Sequence, residues 1–387
     1  MKFFHLSDLH IGKNVNGFSM INEQNHVFEQ VIGYIQTERP AAVVIAGDVY
    51  DRAIPGVEAV RVFDNFLTAL AREEVVVILI SGNHDSPERL TYASRLLSDK
   101  RLFFYGTFDG IIQKVTLPDE YGEVTFWLLP FIKPSMVRGI FSQSKTDSRE
   151  IESYDDAITA ALEAANVDYT ARNVLVSHQF YVKSDVEPIR SESEVDIVGG
   201  LDAVNAGIIE HFDYVALGHL HRRQSVGSEH ILYCGSPIKY SFSEWRYEKS
   251  VTVVELGKKG SLTLNVLPLT PLHNMREIKG ELEKLMRDEI SSLADKEDYL
   301  SVILTDEEDI IDAMGKLRSV YPNIMKIDFE NSRTIIDISA ITANAENIEK
   351  LSAYDLFCEF FRETQGDVMS KEQLKIVREL LEKEDEE

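Results

Sequence analysis

Long apolar stretches are missing from this chain. No run of roughly 18 or more apolar residues occurs in the sequence, so no helix is expected to span a bilayer. The opening MKFFHLSDLH is broken by His5, Asp8 and His10 and offers no small-residue cleavage site, so no secretory signal is expected. Cysteine is scarce: Cys234 and Cys358 stand far apart and in no CxxC pair. That pattern excludes a disulfide scaffold and fits a reducing cytoplasm, with both thiols read as packing residues. Positive charge is also short, 40 Lys and Arg against 65 Asp and Glu, for a formal charge of −25. The deficit is uneven, −14 over residues 271–387 and −11 over the first 270. The C-terminal part is therefore a poor surface for gripping phosphates and a fair one for a basic protein partner. Solvated helix faces are the plainer account of the same charges. No internal repeat is found, and low complexity is confined to the acidic end, Glu382–Glu387.

What is present is an alternation. Over the first 220 residues, short β-rich apolar runs (Phe3–Leu6, Val43–Ala46, Val75–Ile80, Val174–Val176, Tyr214–Leu217) are each followed by a polar loop and a helical stretch. This predicts a layered α/β fold with helices covering sheet faces. One helix follows Pro55, with Val60, Phe63, Phe66, Leu67 and Leu70 at helical spacing. Ser86-Pro87 announces another. Strands are expected at Ile231–Cys234, Val251–Leu256 and Leu262–Leu267. After a Pro-containing linker at 267–274, a second alternation begins: strands at Met275–Lys279, Tyr299–Leu304 and Ile324–Phe329, helices at Glu281–Leu293 and Asp309–Tyr321. The end reads as a helical hairpin, with Ser352 and Ser370 as caps. The expected division is 1–270, a small α/β unit at 271–342 and a helical tail at 343–387.

Five of the predicted strands end in metal-binding side chains: Asp8-Leu9-His10, Gly47-Asp48-Val49-Tyr50-Asp51, Gly82-Asn83-His84-Asp85, Ser177-His178 and Gly218-His219-Leu220-His221. Ligands in layered α/β folds bind at the carboxyl ends of strands, so these groups can converge. Two Asp, one Asn and four His, with His84 left over, are too many for one tetrahedral ion and about right for two ions sharing a carboxylate. The mixed N/O set favours a borderline divalent ion. Two such ions clamp the attacking and leaving oxygens of a phosphoryl displacement. Taken singly, each motif has an ordinary explanation: a DxH on a surface turn, a Gly-Asp at a strand end, a GHLH as packed core histidines. It is their order, each at a strand end, that carries the signal.

That ordered set resembles the calcineurin-like metallophosphoesterase superfamily over about residues 1–270, which implies a β-sandwich flanked by helices. Carried over, Asp8, His10, Asp48 and His221 hold one ion. Asp48, Asn83, His178 and His219 hold the other, with Asp48 bridging. His84 stays off the metals and protonates the leaving oxygen or steadies the phosphate. Asp51 is expected to orient His84.

Three features narrow the resemblance to SbcD-type nucleases: DLHIGK at 8–13, ALGHLH at 216–221, and the segment YCGSPIKYSFSE from Tyr233 to Glu244. The 166 residues after His221 are similar in order to that family's capping domain and partner-docking tail. The resemblance implies Mn²⁺ as the metal, and DNA repair and recombination as the setting. DNA would be cut exonucleolytically at duplex ends and endonucleolytically at hairpins or single strands. It implies a homodimer within a heterotetramer containing two SbcC-type coiled-coil ATPases. Helices near 57–72 and 87–98 would form the dimer contact, and the stripe Leu356, Phe357, Phe360, Phe361 would dock on the ATPase. Lys13, Arg52, Arg222, Arg223, Lys239 and Arg246 flank the motif loops and are candidate phosphate contacts. Two rival readings remain: a phosphomonoesterase or small-molecule phosphodiesterase with the same ions, and a non-catalytic adaptor for the ATPase.

Overall fold

Strands that are apolar at nearly every position need two buried faces, and here each face has its own core. The computed structural model describes residues 1–142, 150–183, 188–194, 203–308, 310–331, 358, 361, 369–370, 373–374 and 377. The chain forms two compact units: Met1–Glu277 with Asp295–Ser301 and Tyr321–Lys326, and Ile278–Ala294 with Val302–Val320 and Ile327–Glu387.

The first unit holds two six-stranded sheets. In chain order the strands are β1 (Lys2–Leu6), β2 (Ala42–Ala46), β3 (Val76–Ile80), β4 (Leu102–Tyr105), β5 (Gln113–Asp119), β6 (Gly122–Leu129), β7 (Arg172–Ser177), β8 (Tyr214–Leu217), β9 (Gln224–Val226), β10 (Ser228–Tyr233), β11 (Lys249–Leu256) and β12 (Leu262–Leu269). One sheet has the order β12-β11-β1-β2-β3-β4, the other β9-β10-β8-β7-β6-β5. Strands β1 to β4 pair in parallel, as do β6, β7, β8 and β10 in their sheet order.

Side-chain alternation assigns the cores. Phe3, Ala42, Val44, Ala46, Val76, Ile78 and Ile80 face Phe126, Leu128, Val174, Val176, Tyr214 and Ala216 between the sheets. Phe3 sits at the centre, edge-on to Phe126 at 5.2 Å and to Tyr214 at 5.9 Å. Burying each such ring contributes about 1.5–3 kcal/mol. The alternate residues Phe4, Leu6, Val43, Ile45, Val77 and Leu79 pack outward on helices α1 (Ile21–Glu38) and α2 (Val57–Arg72). The second sheet is covered by Pro134–Phe141 (α3) and Tyr154–Ala165 (α4). Helix α4 begins at a full capping box between Ser153 and Asp156. The fold is thus the expected layered α/β sandwich.

Several elements differ from expectation. The β5–β6 hairpin falls between the runs named from sequence, whereas α1 is the helical stretch expected after Phe3–Leu6. The helix at Ser86-Pro87 is a single turn, Pro87–Leu90, and Ser86 makes no capping bond. A left-handed Ala93 then separates it from Ser94–Leu97. The expected helix at 281–293 is two turns, Leu282–Leu285 and Asp288–Ser291. One turn is enough to bury Leu282 and Leu285. The helix expected from 309 begins at Ala313, because Asp312 is left-handed and its carboxylate accepts the Gly315 N–H.

The strands Met275–Gly280, Tyr299–Leu304 and Ile324–Phe329 pair in that order. Near the C-terminus, Ser370 and Gln373 exchange side-chain-to-backbone bonds at 2.9 and 3.3 Å, the reciprocal cap read from sequence. Most of the tail, including Ser352, Leu356, Phe357 and Phe360, lies outside the described residues. Phe361 is described, as helical and half-buried.

Candidate metal centre

The five motif loops follow β1, β2, β3, β7 and β8, and backbone bonds tie them together. The Asp8, His10 and Ile11 N–H groups donate to the carbonyls of Gly47, Asp48 and Val49 at 2.9–3.0 Å. The Gly218 N–H donates to the Ser177 carbonyl at 3.1 Å. Four of the seven expected ligands hold left-handed backbone: Asp8 (φ 53°), His10 (40°), Asp48 (50°) and His219 (105°). Each costs of order 1–3 kcal/mol, and such strain concentrates at functional sites. Gly82 allows the third loop to lie against the second. A Cβ there would stand 2.1 Å from Asp48 Oδ1.

The side chains converge. Asp8, His10 and His221 bring ligand atoms within 4.8 Å of one another, as do Asp8, Asp48 and His178, and also His10, Asp48 and His84. His10 Nε2 stands 3.0 Å from His221 Nε2 and 3.6 Å from Asp48 Oδ2. Asp48 Oδ2 stands 3.3 Å from His178 Nε2. Asn83 Oδ1 is 3.0 Å from His178 Nε2 and 3.1 Å from His219 Nδ1. All seven residues are therefore joined in one network, with Asp48 at its centre.

Burial sets the electrostatics. It pushes Asp8 above the usual carboxylate range. It opposes ionisation of Asp48 too, but the facing His178, by charge and hydrogen bond, outweighs it and holds that carboxyl well below its ordinary value. Burial lowers His10, and His219 to about 3, keeping both in the neutral form that can ligate. In His178 burial is overcome by Asp48, and the ring is raised to about 9. Two carboxylates with almost no accessible surface cost several kcal/mol each unless cations meet them. Imidazole, carboxylate and amide oxygen donors aimed at common points fit divalent ions.

His84 sits at the edge of this cluster, its ring edge-on to His10 at 4.7 Å. Its Nδ1 lies 2.9 Å from the backbone carbonyl oxygen of Asp51. Asp51 therefore meets His84 through its main chain. Its carboxylate is taken by Lys13 Nζ at 2.8 Å.

The candidate phosphate contacts scatter. Lys13 and Arg52 lie beside Asp51. Arg222 stacks on Tyr247 at 4.3 Å, and Arg223 Nε reaches Thr252 at 3.4 Å. Lys239 and Arg246 line a separate cavity of about 410 Å³ with Glu23 and Trp245. There Lys239 Nζ donates to the Trp245 carbonyl and to Asn274, both at 2.7 Å.

Supporting groups went unassigned in the sequence. The Asp85 carboxylate accepts the N–H groups of Val49, Tyr50 and Gly82 at 2.9–3.1 Å. Burial and the Asp48 charge raise it to about 6. Gln24 Nε2 binds the carbonyls of Leu9 and His10 and the Tyr240 hydroxyl. Ser193, Glu194 and the fully buried Glu244 surround His221. Glu244 closes the YCGSPIKYSFSE segment, so its position was visible although its role was not. Ser193-Glu194 lies in a polar run with no periodicity to single it out.

Residues 1–223 match the family model described as calcineurin-like phosphoesterase. Residues 271–365 match the one described as Type 5 capsule protein repressor C-terminal domain. The SbcD subunit of the nuclease SbcCD from Staphylococcus epidermidis is 31% identical over 385 residues, covering 98% of both chains. Its counterpart of the same name from Staphylococcus saprophyticus subsp. saprophyticus is 30% identical over 385 residues, again covering 98% of both. Among solved structures, a dimetal phosphatase from Danio rerio aligns with 70% of this chain and 99% of its own, at 13% identity and a TM-score of 0.38.

Proposed function

The chain belongs to the calcineurin-like phosphoesterases and, within them, to the SbcD nuclease subunits, and on that premise we propose that it hydrolyses DNA phosphodiester bonds at the cluster around Asp48. It is a metal-dependent nuclease of that family. The observation that carries the siting is the meeting of seven donors at the ends of five strands, four of them on strained backbone.

Asp8, His10, Asp48 and His221 would hold one divalent ion, and Asp48, Asn83, His178 and His219 the other, with Mn²⁺ as the metal. When bound, the ions supply positive charge to the phosphoryl oxygens and acidify a water for attack. The protein's part is geometric and protonic. The zipped loops fix the donors before substrate arrives, so little reorganisation accompanies the reaction. His84 donates Nδ1–H to the Asp51 carbonyl. Its Nε2 therefore carries a proton only in the imidazolium form, which can give it to the leaving oxygen.

The substrates are DNA ends, hairpins and single strands, in DNA repair and recombination. Lys13, Arg52, Arg222 and Arg223 contact flanking phosphates, with Lys239 and Arg246 further away. The partner is an SbcC-type coiled-coil ATPase, bound by a tail at 343–387 beyond a capping domain at 271–342, in a heterotetramer. A homodimer contact on the first unit is supported by exposed Ile54, Val57, Val60, Tyr92 and Leu96. Each offers apolar surface to solvent, and such surface is favourably buried against a partner. Among the described residues no helix is long and apolar enough to cross a membrane.

The test is degradation of an end-labelled DNA hairpin with Mn²⁺ by wild type and His84→Ala, with metal content measured on both. Cutting by wild type, and its loss in a variant that keeps both ions, is expected. Turnover of p-nitrophenyl phosphate or cyclic nucleotides without any DNA cleavage would give the site to a small-molecule phosphoesterase. A metal-free chain that still assembles with the ATPase and never cuts would make it an adaptor.

A further inference from the structure

The two ring nitrogens of His221 face different surroundings. Nε2 points to the donor cluster, 3.0 Å from His10 Nε2. Nδ1 points away from it and meets Ser193 Oγ at 2.8 Å. A neutral imidazole presents a lone pair on one nitrogen only, and what the other nitrogen bonds to decides which.

The direction of that bond can be followed outward. Ser193 Oγ lies 3.2 Å from Glu244 Oε1. Glu244 is fully buried, and its other oxygen takes Lys249 Nζ at 2.5 Å. Oε1 also receives the Tyr240 N–H and the Ser241 hydroxyl, each at 3.2 Å. A carboxylate paired with an ammonium only accepts. The Ser193 hydroxyl hydrogen therefore goes to Glu244, and its lone pair is left for His221. Ser191 Oγ, 3.0 Å from Ser193 Oγ, donates its own hydrogen to Glu194. It offers Ser193 a second acceptor without altering the direction at His221. Glu194 meanwhile accepts the His221 backbone N–H at 2.6 Å. Ring and main chain are thus both held by two adjacent residues, and Lys249 Nζ adds a bond to the His221 carbonyl at 2.8 Å.

We infer that Ser193 and Glu244 are positioning residues that place the proton of His221 on Nδ1 and so aim a lone pair on Nε2 at the metal centre. The inference rests on the reading of His221 as a ligand. Groups that orient ligating imidazoles in this way are worth about 10–100-fold in metal affinity. His178 receives the same service from a main-chain atom, the Ala46 carbonyl 2.7 Å from its Nδ1. Of these two rings, His221 is the one that depends on side chains that can be exchanged.

The experiment uses the full chain with ¹⁵N-labelled histidine and Mn²⁺ alone as the probe. The variants are Ser193→Ala, Ser193→Thr and the paired Glu244→Gln/Lys249→Met, which removes both members of the buried ion pair and so leaves no lone charge. Folding of each is checked by circular dichroism. In the metal-free wild type, read at a pH high enough for the ring to be neutral, the His221 resonance, assigned from its loss in His221→Gln, should show a protonated Nδ1 and an unprotonated Nε2. Calorimetry should give two Mn²⁺ sites. Ser193→Ala should weaken one of them about tenfold and the paired variant about 10–100-fold, leaving the other within about threefold, and Ser193→Thr should restore it. Wild-type affinity at both sites in folded Ser193→Ala and the paired variant would overturn the inference, as would a neutral His221 ring protonated on Nε2 in the wild type. A wild type that binds no Mn²⁺ would instead defeat the proposed metal centre, and the tautomer would still be read.

Discussion

The Nδ1 of His84 stands 2.9 Å from the main-chain oxygen of Asp51, while the Asp51 carboxylate is engaged by Lys13 Nζ at 2.8 Å. A main-chain carbonyl does not titrate, so the orientation of His84 is independent of pH and of the acid's identity. His84→Ala should lower DNA cleavage by about 10²–10⁴-fold, the usual contribution of a positioned proton donor, with both ions retained. Asp51→Asn should leave the acidic limb of the pH–rate profile where it is in the wild type. A shifted limb in that variant would return the orienting role to the carboxylate.

Gly82 supplies a steric test of the centre. An added Cβ meets Asp48 Oδ1 at 2.1 Å and the Asp48 backbone nitrogen at 2.5 Å. Gly82→Ala must therefore displace the central carboxylate. We expect bound metal to fall below one ion per chain, with overpacking costing about 1–3 kcal/mol of stability. Gly33 lies in α1 with nothing within 4 Å of its built Cβ. Gly33→Ala is the control and should stabilise by about 0.5–1 kcal/mol. Metal analysis and urea unfolding of both variants decide the matter, and full metal content in Gly82→Ala would refute it.

His5 makes stability depend on pH. It is fully buried between the sheets, Nδ1 2.8 Å from the Tyr214 hydroxyl, and burial lowers its pKa to about 3. The unfolded chain takes up this proton near pH 6.5 and the native chain only near pH 3. Stability is therefore complete above about pH 6.5. It falls as the pH drops toward 3, because the unfolded state binds the extra proton. At about 1.4 kcal/mol per pH unit, His5→Gln should remove about 3 kcal/mol of the stability lost between pH 7.5 and 4.5. Urea unfolding at those two values reads it, and equal losses in both proteins would contradict the assignment.

The exposed side chains of Val57 (76%) and Leu96 (75%) test the dimer contact. Val57→Glu combined with Leu96→Glu should convert a dimer to a monomer in sedimentation, with metal content unchanged. Charges brought into an apolar contact without partners cost several kcal/mol. A double variant that still sediments as a dimer would move the contact elsewhere.

Much of this protein was legible before any coordinates. Strands such as Val43–Ala46 and Val76–Ile80 could be read because burial on two faces demands apolar residues throughout. The β5–β6 hairpin was not, since its exposed edge alternates weakly around Pro118 and Asp119. Helix α1 was expected only as the stretch after Phe3–Leu6, its extent unnamed because buried Glu23 and Gln24 interrupt its apolar face. Both carry structural bonds instead: Glu23 to the Leu272 and His273 N–H groups, Gln24 to the His10 loop.

By itself the sequence determined which side chains close the five strands, and hence the donor chemistry of the site. Strand ends are local features, marked by a glycine or a polar break after an apolar run. The tertiary structure alone decided that Asp51 serves His84 through its main chain, and that Lys239 and Arg246 line a different cavity. It alone brought Ser193 and Glu244, 51 residues apart, together beside His221. Such partnerships depend on where distant loops cross. Periodicity reports only which face of its own element a residue occupies, and carries no record of what that face will meet.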